Sequence, residues 1–210
     1  MRIGAIVRSY YLTDYLPYVL KQFDYCEKII VPNYRYNDEE KDDNTYEIVS
    51  DFKNAVVTVD LNGKSTQAKA FNDALILLQD MDYVWICDAD ELIKPEDQEF
   101  ILSNMGKYKS CLMRVIDYVD ENHIYPVRDH KPIALVKPDV EFYTTRCCRG
   151  FKDPLYLDTI FIHHLGYTFS KEKMDWKTNN YWGNKKDLDH YSTKVKYNVP
   201  KFVKNVLQKT

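Results

Sequence analysis

Apolar runs and amphipathic stretches alternate along the first hundred residues. Ile3 to Val7 is a short, branched apolar run, the pattern of a buried strand. It ends at Arg8-Ser9-Tyr10-Tyr11. Thr13 then suits the cap of a helix with Leu16, Val19, Leu20 and Phe23 on one side. Lys28-Ile29-Ile30-Val31 reads as a second strand, stopped by Pro32-Asn33. Residues 38–43 hold five acids around Lys41, an exposed lead into a helix near Tyr46 to Phe52. Ala55 to Val59 is a third strand, broken at Asn62-Gly63. Ser65 to Gln79 is the clearest helix, with Ala68, Phe71, Ala74, Leu75 and Leu78 at three- and four-residue steps. Val84-Trp85-Ile86-Cys87 is a fourth apolar run and ends at Asp88-Ala89-Asp90-Glu91. Pro95 opens the next helix, through Phe100-Ile101-Leu102. Strand and helix alternating at this spacing imply βαβ units: a parallel sheet with right-handed crossovers and helices on both faces.

The pattern changes after residue 105. Segments 109–119, 123–128, 132–137, 141–146 and 157–164 look like strands with few helices between them. Pro126, Pro132, Pro138 and Pro154 punctuate them. The expected architecture is one α/β domain over residues 1–210, with a smaller mixed sheet region appended to a mostly parallel sheet. Its parts are an alternating strand–helix half (1–105), a strand-rich half (106–170) and a basic, partly helical tail (171–210). A length of 210 residues fits one such domain. There is no internal repeat and no flexible linker.

Charge narrows the partners. The net charge is −3, whereas a nucleic-acid binder is usually basic. Ten lysines against four acids leave residues 171–210 at +6, so residues 1–170 carry −9. The tail reads either as a solvated helical face or as a surface for an anionic partner, and is expected to lie outside the site that the acidic part holds. The five cysteines form no CxxC pair, and the N-terminal apolar run is too short for a signal peptide. No run approaches the roughly 18 apolar residues of a membrane span. A reducing, cytoplasmic setting is expected.

The chemistry centres on Asp88-Ala89-Asp90. In open α/β sheets ligands bind beyond the carboxyl ends of the strands. Two carboxylates there repel unless a cation or strong donors join them, and hard oxygens favour Mg²⁺ or Mn²⁺. The other reading is a strand-end turn in which Asp88 or Asp90 caps the next helix.

Three segments set this pair in context. They are Arg8-Ser9-Tyr10-Tyr11 after the first strand, Lys69-Ala70-Phe71-Asn72 on the clear helix, and Val84 to Glu91 with its Asp-x-Asp. A fourth piece, His164-Leu165-Gly166-Tyr167, follows late. In order and spacing these resemble the GT-A nucleotide-sugar glycosyltransferases, and within them the family-2-like inverting enzymes. A narrower likeness is to members encoded by large algal viruses (chloroviruses). One departure stands out. That family carries an acid just after its second strand, where this chain has Val31-Pro32-Asn33-Tyr34-Arg35. Base contact would then fall to Asn33, Tyr34 or Asp60.

The resemblance implies a UDP-sugar donor, Mn²⁺ or Mg²⁺, and a glycan or glycoprotein acceptor. It implies metal ligation by Asp90 with Asp88, completed by His164 or His163. It places the nucleotide against Arg8, Ser9, Tyr10, Asn33, Asp60, Gly63, Lys64, Lys69, Asn72, Asp88 and Ala89. Inverting transfer needs a base for the acceptor hydroxyl; Asp158 is the first candidate and Asp117 the second. Arg146 and Arg149 read equally as phosphate contacts or core-edge ion pairs. Tyr10, Tyr11, Tyr34 and Tyr36 are placed for base stacking, and Tyr143, Tyr156, Tyr167, Tyr181 and Trp182 for acceptor sugar. The chain is short for the class, which leaves room for additional domains of a larger polypeptide. Two other functions stay open: an Asp-based phosphatase or phosphotransferase, and a non-catalytic carbohydrate-binding domain of the same fold.

Overall fold

The computed structural model describes residues 1–9, 11, 13–33, 43–59, 66–127, 129–144, 146–150, 153–181 and 193–209. Strand β1 (Ile3–Arg8) is flanked in parallel by β2 (Lys28–Asn33) and β4 (Tyr83–Asp88), with β3 (Ala55–Val59) parallel beyond β2. Strands β1, β2 and β4 are covered on both faces, which is why they read as continuous apolar runs rather than alternating ones. Alternation survives in the packing partners, because successive side chains point to opposite faces. Ile6, Ile30, Val84 and Ile86 pack with Phe71, Ala74 and Leu75 of helix α3 (Gln67–Ile76). Val7, Ile29, Val31 and Trp85 belong to the opposite core, with Leu16, Val19 and Leu20 of α1 (Leu16–Lys21).

Two local expectations shift. Thr13 does not cap α1 through its side chain; Tyr15 is the N-cap, and the Thr13 carbonyl accepts the Leu16 N–H at 3.0 Å. Strand β2 also runs on through Pro32-Asn33, pairing with Thr58 and Val59. Proline lacks a donor, but its carbonyl still accepts, here from the Ser9 N–H at 3.2 Å. Helix α2 (Thr45–Ser50) comes before β3.

The second half extends the same sheet. Strand β8 (Ile133–Val136) pairs antiparallel with β4, and β6 (Ser110–Asp117) pairs antiparallel with β8. Strand β11 (Leu155–His164) is parallel to β6, and the short β5 (Glu91–Leu92) closes against its end. The order is β3-β2-β1-β4-β8-β6-β11-β5. The mixed region is therefore continuous with the parallel half, since β8 bonds directly to β4. Among the described residues, two small sheets stand apart. One joins β9 (Glu141–Thr144) to β10 (Cys147–Arg149), the other β7 (His123–Ile124) to β12 (Val195–Lys196). Helix α4 (Pro95–Asn104) follows β5. The basic tail holds α5 (Lys171–Tyr181) and α6 (Lys201–Leu207), the latter burying Val203 and Val206. Among the described residues no helix is long and apolar enough to cross a membrane.

Candidate active site

Strand register assembles the site. Arg8 and Asp88 are direct neighbours at the ends of β1 and β4. Asp117 lies beside His164 at the ends of β6 and β11, and His164 lies opposite Glu91 of β5. Five residues distant in sequence thus meet at one end of the sheet. Arg8 Nη2 donates to Asp88 Oδ2 at 2.6 Å, and the Ala89 N–H bonds the Arg8 carbonyl at 2.9 Å, which fixes the turn that presents Asp90.

Asp90 is buried among cations. Its Oδ2 lies 3.4 Å from His164 Nε2 and accepts from Lys177 Nζ at 3.1 Å. His164 Nδ1 lies 2.7 Å from Asp117 Oδ1. Burial alone would lower the His164 pKa, but Asp90 and Asp117 reverse this and raise it to about 10. Burial likewise pushes the Asp90 carboxyl up; Lys177 and His164 outweigh it and hold the group below its ordinary range. Gly166 closes the cluster. A Cβ there would stand 2.4 Å from His164 Nε2 and Lys177 Nζ and 2.6 Å from Asp90 Oδ2. Only glycine leaves room for those three tips.

Glu91 lies under the acid pair. Its Oε2 accepts the Asp88 N–H at 3.0 Å, and its Oε1 pairs with Arg146. Arg146 also donates to the carbonyls of Ile86 and Ile133, each at 2.9 Å. Burial raises the Glu91 pKa, and the guanidinium opposes that rise. Arg146 adopts φ 55°, left-handed for a non-glycine residue, and such conformations persist where surrounding structure imposes them. A cavity of about 180 Å³ opens above these groups, lined by Asp88, Glu91, Asp117, His130, Arg146 and His164 among others.

Other expected residues lie elsewhere. His163 points away from His164, as strand neighbours must. It is buried with Nδ1 2.8 Å from the Tyr118 hydroxyl, and burial lowers its pKa to about 3. Asp158 sits six residues before His164 on β11, exposed and 2.9 Å from Lys131. Asn72 uses both ends of its amide on the Phe142 backbone, at 2.8 and 2.9 Å, tying α3 to β9. Lys69, on the exposed side of α3, pairs with Asp73. Ser9 Oγ is 3.3 Å from Thr45 Oγ1. Asn33 donates to Asp43, whose carboxylate also takes the Tyr11 N–H at 3.0 Å and the Thr45 hydroxyl at 3.0 Å. Tyr10, Tyr34, Tyr36, Asp60, Gly63, Lys64 and Trp182 lie outside the described residues.

Lys177 corrects the view of the tail. That segment was expected outside the site, yet this lysine is 5% exposed and touches Asp90. One signal was readable: it follows Trp176, a large apolar residue that must anchor its helix. Glu91 carried the weaker signal of an acid directly after the pair.

The sequence matches the family described as glycosyl transferase family 2 over residues 11–164. The chain belongs to that family. Its fold is accordingly of the GT-A type. Among curated proteins none matches the sequence significantly. Among solved structures, Staphylococcus aureus TarS residues 1–349 in complex with UDP-GlcNAc is 19% identical, with TM-score 0.44, over 56% of this chain and 35% of that one. Glucosyl-3-phosphoglycerate synthase of Mycobacterium tuberculosis, in complex with Mn²⁺, UDP and glucosyl-3-phosphoglycerate, is 12% identical, with TM-score 0.42, over 52% and 42%. A putative glucose-1-phosphate thymidylyltransferase from Bacillus anthracis is 10% identical, with TM-score 0.42, over 77% and 71%. The match spans about a third of the TarS chain. None of these likenesses supports the narrower one to virus-encoded enzymes.

The carboxylates of the site suit a hard divalent ion in their donor atoms. Asp90 Oδ2 faces His164 Nε2 beside a glycine, and Asp88 Oδ1 is buried without a hydrogen-bond partner among the described residues. His164, held protonated by the two aspartates, would have to release that proton to act as a ligand. No three His, Cys, Asp or Glu side chains form a ready-made cage among the described residues. Mg²⁺-type ions need none, being bound by one or two carboxylates together with substrate phosphates.

Proposed function

We propose that the chain transfers a hexose or deoxyhexose from a UDP-sugar to a hydroxyl of a glycan or glycoprotein, with inversion and with Mn²⁺ or Mg²⁺. The observation that carries this reading is the convergence of Asp88, Asp90, Asp117 and His164 around one cavity edge at the carboxyl end of the sheet. Departure of UDP places new negative charge on the β-phosphate. Asp90 and His164, with Asp88, would hold the ion, which supplies Lewis-acid stabilisation of that charge when bound. Arg8 orients Asp88, and Glu91 fixes the Asp88 backbone, so the carboxylate is set before substrate arrives. Ser9, Asn33, Lys69, Asn72 and Ala89 are the remaining described residues assigned to the nucleotide.

The base must stand within reach of the acceptor hydroxyl. Asp117 is favoured over Asp158 because it lines the cavity, whereas Asp158 is exposed and paired with Lys131. The proposed setting is cytoplasmic, in keeping with five free cysteines. Since the chain spans about a third of TarS, further domains of a larger polypeptide are part of the proposal.

A screen of UDP-sugars for UDP release with Mn²⁺ tests the reading. Release above buffer with one donor, stimulated by an acceptor glycan, supports transfer. Saturable UDP binding with no release from any donor would favour the non-catalytic carbohydrate-binding reading.

A further inference from the structure

The acid turn is already neutralised without any metal. Asp88, Asp90, Glu91 and Asp117 face Arg8, Arg146, His164 and Lys177 in direct contacts. Of these cations Lys177 alone comes from the C-terminal tail, on helix α5. Its ammonium donates to Asp90 Oδ2 and to the Gly166 carbonyl, each at 3.1 Å. The rings of Tyr167 and Phe169 lie 5.7 and 5.5 Å from the same nitrogen.

That position conflicts with a metal ion. A divalent ion on the same oxygen would sit about 2.1 Å from it, where the ammonium already lies at 3.1 Å. Two cations sharing one carboxylate oxygen in a poorly solvated site repel by several kcal/mol. The ion and the ammonium therefore compete for that oxygen.

Helix α5 touches the site from outside the sheet. Its sequence, Lys171 to Tyr181, is mostly polar. Its contacts include Trp176 against the Tyr11 ring at 4.7 Å, Lys173 on Asp14 at 2.5 Å, Lys177 itself, and Met174 and Trp176 packed on the core. Tyr11 lies in the segment that follows β1, beside the proposed nucleotide site, so ligand arriving there also meets the support of α5.

We propose that Lys177 is an exchangeable counter-ion, holding Asp90 while the site is empty and displaced when a divalent cation binds there. This rests on the metal reading of the previous section. Displacement frees the Lys177 ammonium beside the position proposed for the diphosphate, so metal binding and release of this cation become one event.

The test is Mn²⁺ binding, read by the loss of the free-ion paramagnetic resonance signal, on wild type, Lys177→Met and Lys177→Arg, each with and without UDP. Thermal melts confirm that each variant is folded. Removing the competitor predicts Mn²⁺ affinity without UDP at least about tenfold tighter in Lys177→Met, a gain of about 1.4 kcal/mol. Lys177→Arg, which keeps the charge, should bind no tighter than wild type. Equal or weaker affinity in Lys177→Met overturns the exchange while leaving the metal reading intact. No Mn²⁺ binding to any form, with UDP still bound, overturns both and leaves Lys177 as a permanent cation.

Discussion

The two sides of the acid turn are held by different cations. Asp88 and Glu91 face Arg8 and Arg146; Asp90 faces Lys177 and His164. Arginine presents a rigid fork of donors that stays charged. Arg146 uses that fork on Glu91, Ile86 and Ile133 together. Lysine is a point charge on a flexible stem, and histidine can give up its proton. The arginine side therefore behaves as framework and the Asp90 side as working surface. The division fits the proposed chemistry, in which one carboxylate stays where it is while its neighbour accepts a change of partner.

The largest effect should come from breaking the framework. Arg146→Met leaves Glu91 buried without its cation and two carbonyls without their donor, and removing one partner of a buried pair costs about 3–5 kcal/mol. Urea denaturation reads this directly, and Arg146→Lys should recover only part of it. Breaking the working side should instead spare the fold and remove activity. Asp90→Asn should lower UDP release by about 10²–10³-fold, with a native circular dichroism spectrum.

The pH response sharpens the same contrast, because arginines do not titrate in the useful range. His164 has its pKa raised from 6.5 to about 10 in the folded chain. Its stabilisation is then complete below about pH 6.5 and is lost as pH rises towards 10. His163 runs the other way. Its pKa falls from 6.5 to about 3, so the unfolded chain takes up the proton first and stability declines as pH drops from 6.5 towards 3. Denaturation midpoints across both windows should show the alkaline slope reduced in His164→Gln and the acid slope reduced in His163→Gln. The smallest effect belongs to Lys69→Ala. Its exposed pair with Asp73 contributes less than about 0.5 kcal/mol, so a marked loss of UDP affinity there would assign it to the phosphates.

The parallel half was legible in sequence because both periodicities are clean there. Ile3 to Val7 and Val84 to Cys87 are unbroken buried runs, and Phe71, Ala74 and Leu75 repeat at helical spacing. The second half was less so, because strand pairing is a long-range property. Nothing local in Ile133 to Val136 says that it bonds β4 and carries the sheet onward. At the site, a motif of adjacent residues pointed to Asp88, Asp90 and His164. Arg146 and Lys177 reach Glu91 and Asp90 only through tertiary folding, across 55 and 87 residues. His163 and His164 were indistinguishable until strand phase was known, and one residue of phase decides which faces the acids.

The most direct measurement is a calorimetric UDP titration of wild type and Asp90→Asn, with and without Mn²⁺. The account predicts saturable binding in wild type that Mn²⁺ strengthens, and at least about tenfold weaker binding in the Mn²⁺-containing variant, a difference of about 1.4 kcal/mol. Equal UDP affinity in both proteins, with metal or without it, would contradict it.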